Sequence, residues 1–368
     1  MKKTLIALAL VSLPVAAMAD VTLYGQLKGG VDFKQTKVAS NKEGTTTNVG
    51  DYGSRIGFKG FEDLGNGLKA IWQVEQSVSL AGSTGTKGWS NRETFVGLEG
   101  GFGKVRVGNL DNFAKSDMET TDQWEYSDNS PALGLALFNN NNNRYGQSIR
   151  YDSPEFAGFY GSLQYTNSDD RANVDGHKTP ENGGMNVAKQ KDAAVYGVGL
   201  GYNYGPYFAK YAFSLDKAGY IQNGDRKDTQ IHRVEGGYDA NNLLVAVGYE
   251  YGKGVQSFRD AFLEEVDVDA PATVNGGEAV KSHQVAVTGA YTMGNLTPKM
   301  SYAHGFKEKK AADSVKNDNS KYDQVIIGAD YALSKRTTAL VSAGWLRIGK
   351  GEGKIEQTAG SVGLRHKF

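Results

Sequence analysis

The sequence contains no cysteine, only 7 prolines and no net charge, with 41 basic side chains against 41 acidic ones in 368 residues. Without cysteine there is neither a disulfide framework nor thiolate chemistry, and a small secreted domain short of core would normally carry disulfides. Balanced charge removes the acidic or basic excess that marks a nucleic-acid partner. Any apolar run of roughly 20 residues, the length a helix needs to cross a bilayer, is also missing. That last absence excludes helical membrane proteins only. A membrane β-barrel alternates lipid-facing and water-facing residues, so its average hydropathy looks ordinary.

One short apolar run opens the chain. Met1 is followed by Lys2 and Lys3, then by apolar residues from Leu5 to Val15 and by Ala17-Met18-Ala19. A basic start, a short apolar centre and a small-x-small ending describe a cleaved secretory signal over residues 1–19. The mature chain would begin at Asp20 and form a single domain over residues 20–368.

What is abundant is glycine, with 48 residues, and tyrosine, with 20 against 15 phenylalanines. Glycine permits tight bends in a sheet and tyrosine favours membrane interfaces. From Val21 onward the chain reads in segments of about ten residues with period-two alternation, the strand signature. In the first, Val21, Leu23, Leu27 and Val31 share one face while Thr22, Tyr24, Gln26 and Lys28 share the other. Such a length suits a strand tilted across a bilayer, for which about 9–11 residues suffice.

The connections alternate between short and long. Short, turn-rich links fall at 63–67, 100–103, 153–158, 203–206, 239–242, 293–295 and 333–336. Gly, Asn and Asp there supply the backbone angles of tight hairpins. Long polar segments fall at 34–51, 77–91, 109–145, 167–192, 215–229, 252–282, 307–321 and 348–356. Seven short turns joining strands in pairs, plus a first and a last strand, predict about sixteen strands in an all-β, antiparallel up-and-down transmembrane barrel. Lipid tolerates no open edge, so the first strand must pair with the last. A barrel of that size leaves an aqueous channel instead of a packed interior.

Several runs resemble the trimeric general porins of neisserial and related betaproteobacterial outer membranes. They include Val21-Thr22-Leu23-Tyr24-Gly25, Gly57-Phe58-Lys59-Gly60, Glu62 to Ala70, Phe102 to Gly108, Tyr302-Ala303-His304-Gly305-Phe306 and the closing Val362 to Phe368. The resemblance implies a homotrimer and a long third loop folded into the lumen. It also implies a water-filled channel for ions and small hydrophilic solutes, set in a lipid bilayer with lipopolysaccharide. The last strand places Thr358, Gly360, Val362, Leu364, His366 and Phe368 on one face, and its terminal aromatic resembles the signal read by barrel-assembly machinery. The long loops depart from the family pattern and leave host-cell contacts open.

A pore needs width and a field across it, not a nucleophile. Alternation predicts inward basic residues: Arg55 and Lys59 if Ile56 and Phe58 face outward, Arg92 if Phe95 does, Arg106 between Val105 and Val107, and Arg150 between Ile149 and Tyr151. Arg144 and Lys28 complete this arc. The third long segment is acidic, with Asp111, Asp117, Glu119, Asp122, Glu125 and Asp128, and would face the arc if the loop folds inward. Trp72, Tyr165, Tyr202, Tyr211, Tyr249, Tyr291, Tyr331 and Trp345 are expected on lipid-facing positions near strand ends.

Three other readings compete with a pore. A barrel enzyme would want catalytic groups, but the five histidines (His177, His232, His283, His304 and His366) stand in no arrangement that reads as a triad. Neither Gly-x-Ser-x-Gly nor His-Glu-x-x-His occurs, and the glycine-rich run 97–103 lacks the Lys-Ser or Lys-Thr ending of a phosphate loop. No cofactor and no metal is expected. A soluble β protein would expose one apolar face of nearly every strand to water, far above a tolerable patch. A closed, adhesive barrel without conductance would need a lumen plugged by bulky side chains.

Overall fold

In the computed structural model the described residues are 21–38, 41–42, 44–82, 89–124, 130–135, 143–167, 194–222, 225–266 and 279–368. The proposed signal segment, His177, Glu125 and Asp128 lie outside them.

The chain forms a closed antiparallel barrel of 16 strands. In order these are β1 (Thr22–Val38), a broken β2 (Thr46–Asp51 and Arg55–Gly65), β3 (Leu68–Ser77), β4 (Thr94–Gly100) and β5 (Gly103–Asp111). Next come β6 (Arg144–Asp152), β7 (Phe159–Asn167), β8 (Ala194–Tyr204), β9 (Tyr207–Gln222), β10 (Asp225–Ala240) and β11 (Leu243–Val255). The last are β12 (Val280–Tyr291), β13 (Leu296–Gly305), β14 (Tyr322–Ala332), β15 (Thr337–Ile348) and β16 (Ile355–Lys367). Each strand pairs with the next, and β16 returns to β1 with Gln26 opposite Lys367 and Val38 opposite Ile355.

All seven predicted short links join strands at one end of the barrel. Asn241 and Asn242 both adopt positive φ, 53° and 64°, the backbone of a tight two-residue hairpin. Two predicted long loops are largely strand instead. β1 and β2 run deep into 34–51, and Gln222 still pairs with Asp225 at the tip of 215–229. Beyond the membrane both faces of such a ribbon are wetted, so the pairing continues although the apolar alternation has stopped.

The faces separate as the alternation requires. Leu23, Leu27, Val31, Val234, Val287, Ile327, Val341 and Val362 are exposed on the outside. Their neighbours Gln26, Glu235, Thr288, Gln324 and Ser361 are buried on the inside. One assignment reverses: Val96 and Leu98 are the exposed residues of β4, so Phe95 faces inward and lies under the Arg106 guanidinium, 5.1 Å from its ring centroid. Arg92 precedes β4 and reaches the lumen through its bond to Glu75, not through strand parity. Among the described residues no helix is long and apolar enough to cross a membrane.

Closure is sealed by the chain end. The Gly25 N–H donates to the Phe368 carbonyl at 3.1 Å, and the Phe368 N–H donates back to Gly25 at 3.1 Å. The Phe368 ring lies where a side chain at position 25 would project, so a Cβ there would sit 2.5 Å from the ring and 2.6 Å from the Arg55 carbonyl. Gly25→Val should therefore unseat Phe368 and weaken closure. The expected result is a reduced yield of the folded, heat-modifiable band on unheated gels, whereas Gly44→Val, in open space, should fold normally.

Candidate pore and its inserted loop

The third connection leaves β5 at Asp111 and turns immediately. Asn112 caps a short helix, α1 (Phe113–Asp117), by accepting the Lys115 N–H at 2.9 Å. Phe113 packs on Gly199 of β8, where any Cβ would collide with its ring. The start of the loop is held by two arginines of β6. Arg150 donates to the Asp111 carbonyl and to Ser116 Oγ, each at 2.8 Å, and pairs with Asp117 at 3.0 Å. Arg144 pairs with Asp111 at 2.8 Å.

From there the loop crosses the inward faces of successive strands. Lys210 of β9 donates to the Asp117 carbonyl at 2.6 Å. Glu235 of β10 accepts the Thr121 hydroxyl at 2.8 Å and also its backbone N–H. Lys299 of β13 donates to the Gln123 carbonyl at 2.6 Å, while the Trp124 indole donates to Ser301 at 2.8 Å. Further on, Gln324 of β14 donates to the Gly134 carbonyl at 2.6 Å, and Gln357 of β16 accepts the Ala132 N–H at 3.0 Å. Each of these loop backbone groups thus has a wall side chain assigned to it, as burial demands.

An apolar cluster inside the barrel supports the same placement. Trp124, Leu133 and Leu135 of the loop pack with Ile326, Leu346 and Ile355 of the wall. A second helix, α2 (Phe258–Val266), adds Phe262 and Leu263 from the sixth long connection. These bonds place the described loop residues along the β6–β16 side, with Val38 of β1 in the same apolar cluster, and none of them reaches β2, β3 or β4.

The sequence-derived arc divides along that line. Arg144 and Arg150 are 5% and 3% exposed and anchor the loop. Arg55, Arg92 and Arg106 are 36%, 22% and 13% exposed, and Lys59 is exposed beside the Tyr24 ring. Lys28 faces inward between Gln26 and Gly30 on β1. The wall also carries acids that alternation could have revealed. Glu75, two residues beyond the inward Gln73, accepts from Arg92 at 2.5 Å and Tyr24 at 3.0 Å and forms an ion pair with Arg55 at 3.5 Å. Arg106 is shared between Glu93 at 2.9 Å and Asp152 at 2.7 Å. Behind the loop, Arg233 and Glu250 form a fully buried pair at 2.6 Å.

On the loop, burial pushes the Asp122 carboxyl up to about 7, opposed by a hydrogen bond from the Trp124 N–H. Burial also raises Glu119, which Lys115 draws back down, and it lowers Lys115 against the attraction of Asp111. Among the described residues there is no group of three or more His, Asp or Glu able to hold a metal ion.

A closed membrane barrel with charged side chains lining its interior and a loop fixed inside defines an outer-membrane diffusion channel. The model of the Gram-negative porin family matches residues 25–368, and this chain belongs to that family. It is 47% identical to the major outer membrane protein P.IB of Neisseria sicca and 43% identical to that of Neisseria gonorrhoeae, each over the whole of both chains. In fold it is similar to an anion-selective porin from Comamonas acidovorans (TM-score 0.67, 21% identity, 95% of this chain and 100% of that one). OmpF of Salmonella typhi gives a TM-score of 0.64 at 19% identity, covering 95% and 98%. The protein is thus a multi-pass outer-membrane channel for passive diffusion, and its family is one of channels rather than enzymes.

Two outcomes follow for the loop. Asp122 gains its proton below about pH 7, so acidification removes a negative charge from the lumen. The reversal potential in a salt gradient should move toward anions between about pH 8 and about pH 6, and Asp122→Asn should abolish most of that movement. Separately, Glu235→Ala removes the acceptor of the Thr121 N–H and hydroxyl, leaving Thr121 held only through its carbonyl by the Thr288 hydroxyl, and takes from Lys210 its carboxylate 3.8 Å away. Hydrogen bonds to a charged group contribute about 1.5–3 kcal/mol each, so single-channel records of this variant should show added open-state noise.

Proposed function

We propose that solutes pass between the basic wall of β1–β5 and the acidic edge of the inserted loop, across a transverse field. Lys28, Arg55, Lys59, Arg92 and Arg106 act on the wall, with Asp117, Glu119 and Asp122 opposite. Glu125 belongs to the same acidic stretch in sequence. Asp111, Arg144 and Arg150 hold the loop at this distance and shape the passage indirectly. The observation that carries the reading is the series of bonds tying the described loop residues to β6, β9, β10, β13, β14 and β16. A polar solute can orient in such a field, while an apolar one must displace ordered water.

Residues 1–19 act as a cleaved export signal, and the mature chain works as a single barrel domain. It assembles as a homotrimer among lipids and lipopolysaccharide, and Phe368 addresses it to the barrel-assembly machinery. The long loops are available to host-cell partners. It performs no catalysis and needs neither cofactor nor metal.

Replacing Arg55, Lys59 and Arg92 together with Gln should shift permeability toward cations, read as a changed reversal potential in a salt gradient. Arg150→Gln should act differently, disturbing conductance through the loop more than selectivity. An unchanged reversal potential in the triple variant would refute the assigned role of this wall.

A further inference from the structure

At the long-loop end of β14–β16, Lys321, Arg347, Lys350 and Lys354 line a cavity of about 380 Å³ together with Asp323. The cavity opens on the outer face of the barrel. Asp323 and Arg347 are cross-strand partners on the same faces as the exposed Ile327 and Val341. Glu356 pairs in register with Arg347 on the next strand. Of the carboxylates around these four cations only Asp323 lines the cavity, and it is already engaged by Arg347 at 3.1 Å, by His304 Nδ1 at 2.8 Å and by the Tyr302 hydroxyl at 2.8 Å. Lys354 has Glu356 at 3.1 Å, and Lys350 reaches Asp318 only at 4.0 Å. Lys321 makes no ion pair among the described residues. Positive-φ glycines, Gly349 and Gly351, carry the backbone around the rim.

What lies beneath decides the kind of ligand. Toward the mid-membrane the same face carries Trp345, with the Arg347 guanidinium 5.4 Å from its ring centroid, and the exposed Tyr302. Below those come the exposed Ile327, Met300 and Val341. Apolar band, aromatic ring, ionic rung and basic cavity follow one another along the strands, which matches an amphiphile standing upright in the leaflet. A second basic rung, Lys253 paired with Lys281 and Lys281 with Lys309, crosses the neighbouring strands at the same end.

We propose that this cavity binds the phosphate of an anionic glycolipid of the outer leaflet, with the acyl chains lying on the apolar face of β13–β15. This specifies the lipopolysaccharide contact proposed above. The lysine ammonium groups act as phosphate partners, and the Arg347–Asp323 pair holds the cavity wall in place. Free inorganic phosphate would gain the charges but not the apolar contact.

The test uses the refolded mature protein in non-ionic detergent, with lipid binding counted by native mass spectrometry. The lipids are bis-phosphorylated lipid A, its dephosphorylated form and phosphatidylcholine. Wild type should prefer the phosphorylated glycolipid over both others. The variant K321Q/K350Q/K354Q should lose about a hundredfold in that affinity, given the usual contribution of a lysine near an anionic surface. K335Q/R336Q, at the short-turn end, should bind as wild type. Heat-modifiable migration and bilayer conductance, both expected unchanged, separate failure of this site from failure of folding or of the pore. Equal binding of phosphorylated and dephosphorylated lipid by wild type would overturn the proposal, as would undiminished binding by the triple variant. Saturation by inorganic phosphate at the same concentration would make it a soluble-anion site and overturn it too.

Discussion

A backbone N–H or C=O facing lipid finds no water, and each one left unpaired costs several kcal/mol. The structure follows from that constraint. Every strand must pair on both sides, so the sheet closes, and the last strand has to reach the first in register. The Gly25–Phe368 contact is the place where closure is completed by a terminal residue. Closure then imposes the alternation of faces, because each side chain points either to lipid or to the lumen. Both the apolar belt and the charged interior are consequences of pairing.

A closed sheet of this size is too wide to be filled by its own side chains. The inserted loop narrows it, and a loop inside a barrel raises a second pairing problem, since its backbone has no sheet to join. The wall supplies the partners one by one: Lys210, Glu235, Lys299, Gln324 and Gln357 each meet a loop backbone group or the hydroxyl beside it. Burial of Trp124, Leu133 and Leu135 against Ile326, Leu346 and Ile355 supplies the attraction. The lumen is therefore part polar channel and part hydrophobic core, divided by the loop.

Strand number, the seven short turns and most face assignments were legible in the sequence because lipid enforces period two. The interior was less legible where that period fails. In Val325-Ile326-Ile327 every residue is apolar, because lipid lies on one side of β14 and the loop covers the other. Alternation alone cannot say that Ile326 faces inward. Phe95 misled for the opposite reason: an inward aromatic sits under Arg106, and the outward side of β4 is marked by Val96 and Leu98. The acids Glu75 and Asp152 were readable by parity, yet their pairing with Arg92 and Arg106 depends on neighbours in space. Nor can sequence divide an arginine arc into wall and anchor. Arg106 and Arg150 are cross-strand partners, but only Arg150 lies beneath the start of the loop.

Because the chain has no cysteine, a single introduced thiol can report where water and ions travel. The most direct measurement is bilayer conductance of Lys59→Cys and Ala303→Cys before and after a charged methanethiosulfonate reagent. Lys59 is exposed on β2, which none of the loop bonds described reaches, whereas Ala303 is buried within the loop cluster. If the passage runs along β1–β5, the reagent lowers conductance in Lys59→Cys at once and leaves Ala303→Cys unaffected. Block of Ala303→Cys with Lys59→Cys indifferent would put the water path on the other side of the loop and contradict the arrangement described.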